Sequence, residues 1–182
     1  LLAAGRVNDP ARCRILAHGA LSASRWLEEE LGVRFEERAL QWDAGQSVPR
    51  GLQTRPRSGY TIVSAEIDAA LRRGVAIRTR TLLEQLLRDA AGRVTGVEVR
   101  EGYRFPDEGS GTPKRLRARR GVVLATGGFG ADVAYRSKWN PRLGAWLQTT
   151  NQPGATGEAL EAAHRAGCAL RDMARIQVLP WI

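Results

Sequence analysis

Apolar residues recur at helical spacing in two stretches of the first half of the chain. Asp9-Pro10 supplies an N-cap and a proline in the first turn. Ile15, Leu16, Leu21, Trp26, Leu27 and Leu31 then follow one face up to Gly32, which predicts an amphipathic helix. The same period returns from Tyr60 to Arg73 through Ile62, Val63, Ile67, Ala70 and Leu71, with Gly74 as the stop. Residues 40–59, rich in Gly, Pro, Ser and Arg, hold no period and read as an irregular loop.

Beyond Gly74 the pattern changes. Val75-Ala76-Ile77-Arg78-Thr79 reads as a short strand. The leucines of Thr81 to Arg88 would suit a helix, but Asp89-Ala90-Ala91-Gly92 is a turn signal and Arg93 to Arg100 alternates with period two. The better expectation is an antiparallel β-meander of residues 81–88, 93–101 and 114–119, with a loose connection from Phe105 to Pro113. Val122-Val123-Leu124-Ala125 is a short apolar run ending in Thr-Gly-Gly, the pattern of a parallel strand buried on both faces whose end meets a ligand. Helices near 131–138 and 156–166 complete the reading.

The chain has 182 residues, enough for one core, and its 43% hydrophobic and 26% charged residues describe an ordinary soluble globular protein. No run reaches the roughly 18 apolar residues of a membrane span, and Leu1-Leu2-Ala3-Ala4 is too short for a signal-peptide core. The expectation is a cytoplasmic protein without a membrane span. Cys13 and Cys168 are isolated thiols, expected to be reduced and packed. With only His18 and His164 as imidazoles, both expected on helix surfaces, neither a metal site nor a self-contained Ser/His/Asp triad is indicated.

The formal charge of +9 rests on 26 arginines against two lysines. A field of that sign attracts anions, and the densest block is Lys114-Arg115-Leu116-Arg117-Ala118-Arg119-Arg120. Its alternation reads as an exposed edge strand with Leu116 and Ala118 facing inward, and its charges discourage edge pairing. No aromatic residues interleave with the basic ones, so a nucleic-acid partner is not expected.

Two glycine turns carry the candidate chemistry. Thr126-Gly127-Gly128, after the apolar run, lets a polar ligand approach the backbone closely. About thirty residues later, Ala155-Thr156-Gly157-Glu158 opens a helix: Thr156 can cap it, its free N–H groups and dipole favour anionic or polar oxygen, and Glu158 can accept hydrogen bonds from hydroxyls of a ribose or ribityl chain. Ala159, Ala162, Ala163, Ala166 and Gly167 keep that helix slim for close packing. The reading requires the turns at Gly127 and Gly157 to lie side by side.

Ala125-Thr126-Gly127-Gly128-Phe129, then Thr150-Asn151-Gln152-Pro153-Gly154-Ala155-Thr156-Gly157-Glu158-Ala159, then Ala166-Gly167-Cys168, then Asp172-Met173 with Gln177 and Pro180, follow one another in an order and spacing that resemble the flavoprotein family of fumarate reductases, succinate dehydrogenases and 3-ketosteroid dehydrogenases. The resemblance covers roughly residues 55–181. It implies FAD as cofactor, with contacts from Leu82 to the adenine and from Ala125, Thr126, Gly127, Gly128, Thr156, Gly157 and Glu158 to the rest of the nucleotide. Glu158 stands where the family has an aspartate. Leu179 stands at the substrate-binding histidine of the fumarate and succinate enzymes and Trp181 at the threonine after the proline; these two substrate positions imply an apolar wall and a substrate other than fumarate or succinate.

The Gly-x-Gly-x-x-Gly strand and turn, the arginine-bearing segment that supplies a proton, and the C-terminal Gly-rich strand are not found in these residues, so the resemblance implies an internal piece of a longer flavoprotein and no catalytic acid or base here. The implied fold is α/β, a partial FAD/NAD(P)-binding Rossmann-like domain with parallel strands and an inserted antiparallel β-meander. Residues 1–150 would be the central part of the FAD-binding domain and residues 151–182 the FAD-contacting turn and helix with the entry to a capping domain. The implied activity is that of an FAD-dependent oxidoreductase moving hydride between flavin and a carbon–carbon bond of a small organic substrate, the piece alone being inactive and prone to self-association. The alternatives are a basic nucleic-acid-binding module and a non-catalytic domain of flavoprotein descent.

Overall fold

The computed structural model describes residues 8–36, 40–43 and 46–178. The chain forms two compact units, Leu1–Ile77 and Arg78–Ile182.

In the first unit, α1 (Pro10–Glu29) starts as its sequence predicts, with the Asp9 carboxylate accepting the N–H groups of Ala11 and Arg12. None of its residues is buried, and Ile15 and Leu16 are three-quarters exposed. The apolar stripe is therefore left largely uncovered by the described residues of its own unit. α2 (Gly59–Arg72) is capped by the Ser58 hydroxyl, which accepts from Tyr60 N–H, and buries only Ala69. The intervening loop is irregular as expected, held by antiparallel bridges between Phe35 and Thr54 and between Gln41 and Gly51. The buried Thr54 hydroxyl fastens the entry to α2, donating to the carbonyls of Pro56 and Ser58. The strand expected at Val75–Thr79 does not form. Leucine-rich neighbours gain ladder partners, but residues 75–79 have none, and Val75 and Ile77 stay about half exposed.

The second unit is built on the meander. β1 (Thr81–Arg88), β2 (Val94–Glu101) and β3 (Thr112–Arg117) form an antiparallel sheet in the order β1-β2-β3. The helical alternative for Thr81–Arg88 fails because the Asp89 carboxylate accepts the N–H groups of Ala91 and Arg93, turning the chain straight back. Leu83 then pairs with Val99, and Val97 with Leu116. Leu116 and Ala118 are half-buried between exposed arginines, as their alternation requires.

α3 (Val133–Trp139) and α4 (Glu158–Arg165) follow. α4 packs on β1 through its small face: Ala159, Ala162 and Ala163 are buried. Two arginines lock the contact, Arg165 donating to the Glu84 carbonyl at 2.7 Å and Arg88 to that of Ala166 at 2.8 Å. The class is the expected mixture of helix and sheet with an antiparallel meander. Residues 122–125 form no strand and make no backbone hydrogen bond among the described residues, and Val123 is 89% exposed. A parallel strand exists only through its neighbours, and no described segment supplies them.

Candidate functional site

The segment after the apolar run is organised by α3. Asp132 caps that helix, its carboxylate accepting Tyr135 N–H at 2.8 Å, and the Tyr135 ring meets Phe129 edge-on at 5.0 Å between centroids. The next residue, Arg136, is 2% exposed and has no carboxylate partner among the described residues. Its guanidinium instead donates to four carbonyls, those of Gly130, Leu143, Gly144 and Leu147. The planar fork thus ties the loop before α3 to the loop after it, which a point charge on a flexible stem could not do.

One backbone bond joins the segments that follow and precede the two glycine turns. Ala131 N–H donates to the Ala155 carbonyl at 3.0 Å, joining the segment that carries Gly127 to the one that carries Gly157. Gly157 is buried against Tyr135, where a β-carbon would stand 2.7 Å from the ring. Gly127 is exposed with φ 74°, a left-handed conformation that favours glycine, and the space around it is open.

α4 is capped differently from expectation. Gly157, not Thr156, occupies the N-cap, and the Thr156 hydroxyl is turned back to the Gly154 carbonyl at 3.2 Å. The close approach of Tyr135 admits only glycine at position 157, so the cap passes to a residue without a side chain. The N–H groups of Glu158, Ala159 and Leu160 consequently have no acceptor among the described residues, and the positive end of α4 is left bare. Glu158 is half-buried there without an ion-pair partner among the described residues. Burial, and then the Glu158, Glu108 and Asp107 carboxylates, push the Tyr103 phenol up from its ordinary value.

Ala125, Thr126, Gly127 and Gly128 are exposed, make no backbone hydrogen bond among the described residues, and precede Ala131, whose N–H donates to the Ala155 carbonyl. Leu82 lies half-buried in β1 opposite Arg100, and no hydrogen bond joins it to either turn. Leu179 and Trp181 lie outside the described residues. Tyr135 and Arg136 went unanticipated: nothing local distinguishes Arg136 from the other arginines, and its partners come from both flanking loops. Cys13 is half-buried, but Cys168 is exposed and not a packed thiol, since the chain turns outward after α4. No group of metal-ligating side chains occurs among the described residues.

The profile of the FAD binding domain family matches residues 2–182. The chain is 37% identical over 181 residues to the acrylate reductase flavoprotein subunit of Shewanella woodyi, covering 99% of this chain and 35% of that relative. The open conformation of a flavocytochrome c3 fumarate reductase superposes with a TM-score of 0.72 at 25% identity, over 85% of this chain and 26% of that one. The 3-ketosteroid-Δ4-(5α)-dehydrogenase from Rhodococcus jostii RHA1 shares the fold, with a TM-score of 0.70 at 23% identity over 86% of this chain and 37% of that one. The chain thus spans about a third of the length of the proteins it matches. With a profile running almost end to end, this chain belongs to the FAD binding domain family, whose cofactor is FAD.

Proposed function

We propose that the intact gene product is an FAD-dependent oxidoreductase that moves hydride between flavin and a carbon–carbon bond of a small organic substrate other than fumarate or succinate. The observation that carries this reading is the bare N-terminus of α4, preceded by Ala155, whose carbonyl accepts the N–H of Ala131 just beyond the open backbone of residues 125–128. These groups fit FAD. Unpaired N–H groups at a helix N-terminus suit anionic or polar oxygen, the open left-handed turn at Gly127 admits the ligand to the backbone, and Glu158 has a carboxylate free to accept hydroxyl groups. Bound FAD would supply the redox chemistry. Leu82, Ala125, Thr126, Gly127, Gly128, Thr156, Gly157 and Glu158 are the proposed contacts, with residues 151–182 leading toward a capping domain.

The substrate part of the proposal rests on two residues. Leu179 cannot donate the hydrogen bond that an imidazole gives to a dicarboxylate, and Trp181 puts a large, mainly apolar ring where the family has a threonine hydroxyl, so an apolar or singly charged unsaturated substrate is favoured. The relative at 37% identity bears the name of an acrylate reductase, which agrees with a small monocarboxylate. The test is to purify the intact gene product, record its flavin spectrum, follow reoxidation of a reduced viologen dye with fumarate and acrylate, and follow reduction of an oxidised dye acceptor with a 3-ketosteroid. Flavin in the protein and turnover of acrylate or steroid without fumarate supports the proposal. A protein without flavin sinks it, and efficient fumarate turnover sinks its substrate half.

A further inference from the structure

The cations of the meander fall into two groups. Arg100 pairs with Glu84, Arg115 with Glu98, and Lys114 and Arg78 with Glu101. Arg88 is engaged by the carbonyls of Gly92 and Ala166. At the end of the sheet where the β1–β2 turn meets the residues following β3, the matching stops. Arg93, Arg117 and Arg119 line one groove of about 350 Å³ together with Asp89, Thr95 and Ala118. None of these three guanidiniums has an ion-pair partner among the described residues. The one carboxylate present, Asp89, accepts the backbone N–H groups of Ala91 and Arg93. The floor is closed by Ala118 N–H donating to the Thr95 carbonyl at 2.8 Å.

Protection of an exposed edge accounts for arginines on β3, but not for this groove. Arg93 belongs to the turn between the other two strands, so guanidiniums from two separate segments converge on one space. Like charges gathered there repel one another unless an anion joins them. Guanidinium forks match phosphate oxygens two at a time, and the volume is that of a small-ligand site.

We propose that this groove binds a phosphate-bearing anion carrying at least two negative charges, at a site that shares no residue with the cofactor turns. Titration calorimetry of inorganic pyrophosphate into the flavin-loaded intact protein at low salt tests it. Saturable binding is expected, weakened about tenfold or more by Arg93→Ala and by the Arg117→Ala/Arg119→Ala double variant. Arg115→Ala removes the same charge from a guanidinium already paired with Glu98 and should leave the affinity unchanged. Cosedimentation with vesicles containing a phosphatidylinositol phosphate, using the same variants, separates a lipid headgroup from free phosphate as the source. Binding of either probe that is lost in the groove variants and kept in Arg115→Ala supports the proposal. Binding of neither, equal weakening by Arg115→Ala, or tighter binding of a short DNA duplex through the same arginines overturns it. All four arginines are exposed, so the variants keep their fold, which circular dichroism checks.

Discussion

The Tyr135 ring lies directly against Gly157, with 2.7 Å between the ring and the place a β-carbon would take. The backbone at Gly157 is ordinary, φ −85°, so glycine is required there by contact and not by conformation. This contact brings the N-terminus of α4 against α3 and leaves that N-terminus without a capping side chain. The candidate site is therefore a consequence of packing between two short helices.

Gly157→Ala should destabilise the protein by about 1–3 kcal/mol, the usual cost of overpacking a filled site. Gly154→Ala, where an added β-carbon meets nothing within 4 Å, is the matched control. Urea denaturation of the two variants decides: equal midpoints would remove the packing argument.

Arg136→Leu leaves four carbonyls without their donor and should cost about 3 kcal/mol or more, since hydrogen bonds to a charged group contribute most and unsatisfied acceptors are penalised in full. Arg136→Lys should recover little, because one ammonium cannot span four carbonyls on two loops. Limited proteolysis should cut both variants within residues 140–150 sooner than the unaltered protein. A stable, protease-resistant Arg136→Lys protein would show that the fork is dispensable.

Gly127→Ala meets no neighbour but must adopt φ 74°, at a cost of about 1–2 kcal/mol for a residue with a β-carbon. Because this strain falls on the proposed cofactor turn, FAD affinity should drop about tenfold, whereas Gly128→Ala, equally open and without a positive φ, should change it less. Flavin fluorescence titrations of the apoprotein give both values. The reverse order would mean that backbone conformation at Gly127 is not what admits the ligand.

Acid should loosen the meander. The Arg115 guanidinium holds the Glu98 carboxyl below its ordinary value near 4.5, and Lys114 and Arg78 do the same to Glu101. A carboxyl depressed in the folded state contributes stability above its unfolded value, and that contribution is lost as pH falls through the folded value. The urea midpoint should therefore drop between about pH 5 and about pH 3, and drop less in Glu98→Gln/Glu101→Gln. Both pairs are exposed, so added salt should shrink the difference. Parallel curves for the two proteins would contradict the assignment.

Local signals carried well where partners are close in sequence. The Asp9 cap acts on N–H groups two and three residues away, and the turn at Asp89–Gly92 places β2 beside β1 immediately, so α1 and the meander could be read from the chain. The same reasoning overreached at Val75–Thr79, whose residues alternate suitably but find no ladder. Thr156 had the chemistry of a cap, yet lost the position to a neighbour chosen by a ring more than twenty residues upstream.

The residues themselves determined the helices, the meander, the excess of arginine, the two glycine turns and the membership in an FAD binding domain family, because periodicity, turn chemistry and motif spacing are properties of neighbours along the chain. Tertiary structure alone decided that Arg136 would knot four carbonyls, that Tyr135 would reserve position 157 for glycine, and that three unpaired guanidiniums would share one groove. The Tyr135 contact and the groove join segments more than twenty residues apart, and the Arg136 bonds join the two loops on either side of α3; their geometry follows from which surfaces meet, which no local pattern encodes.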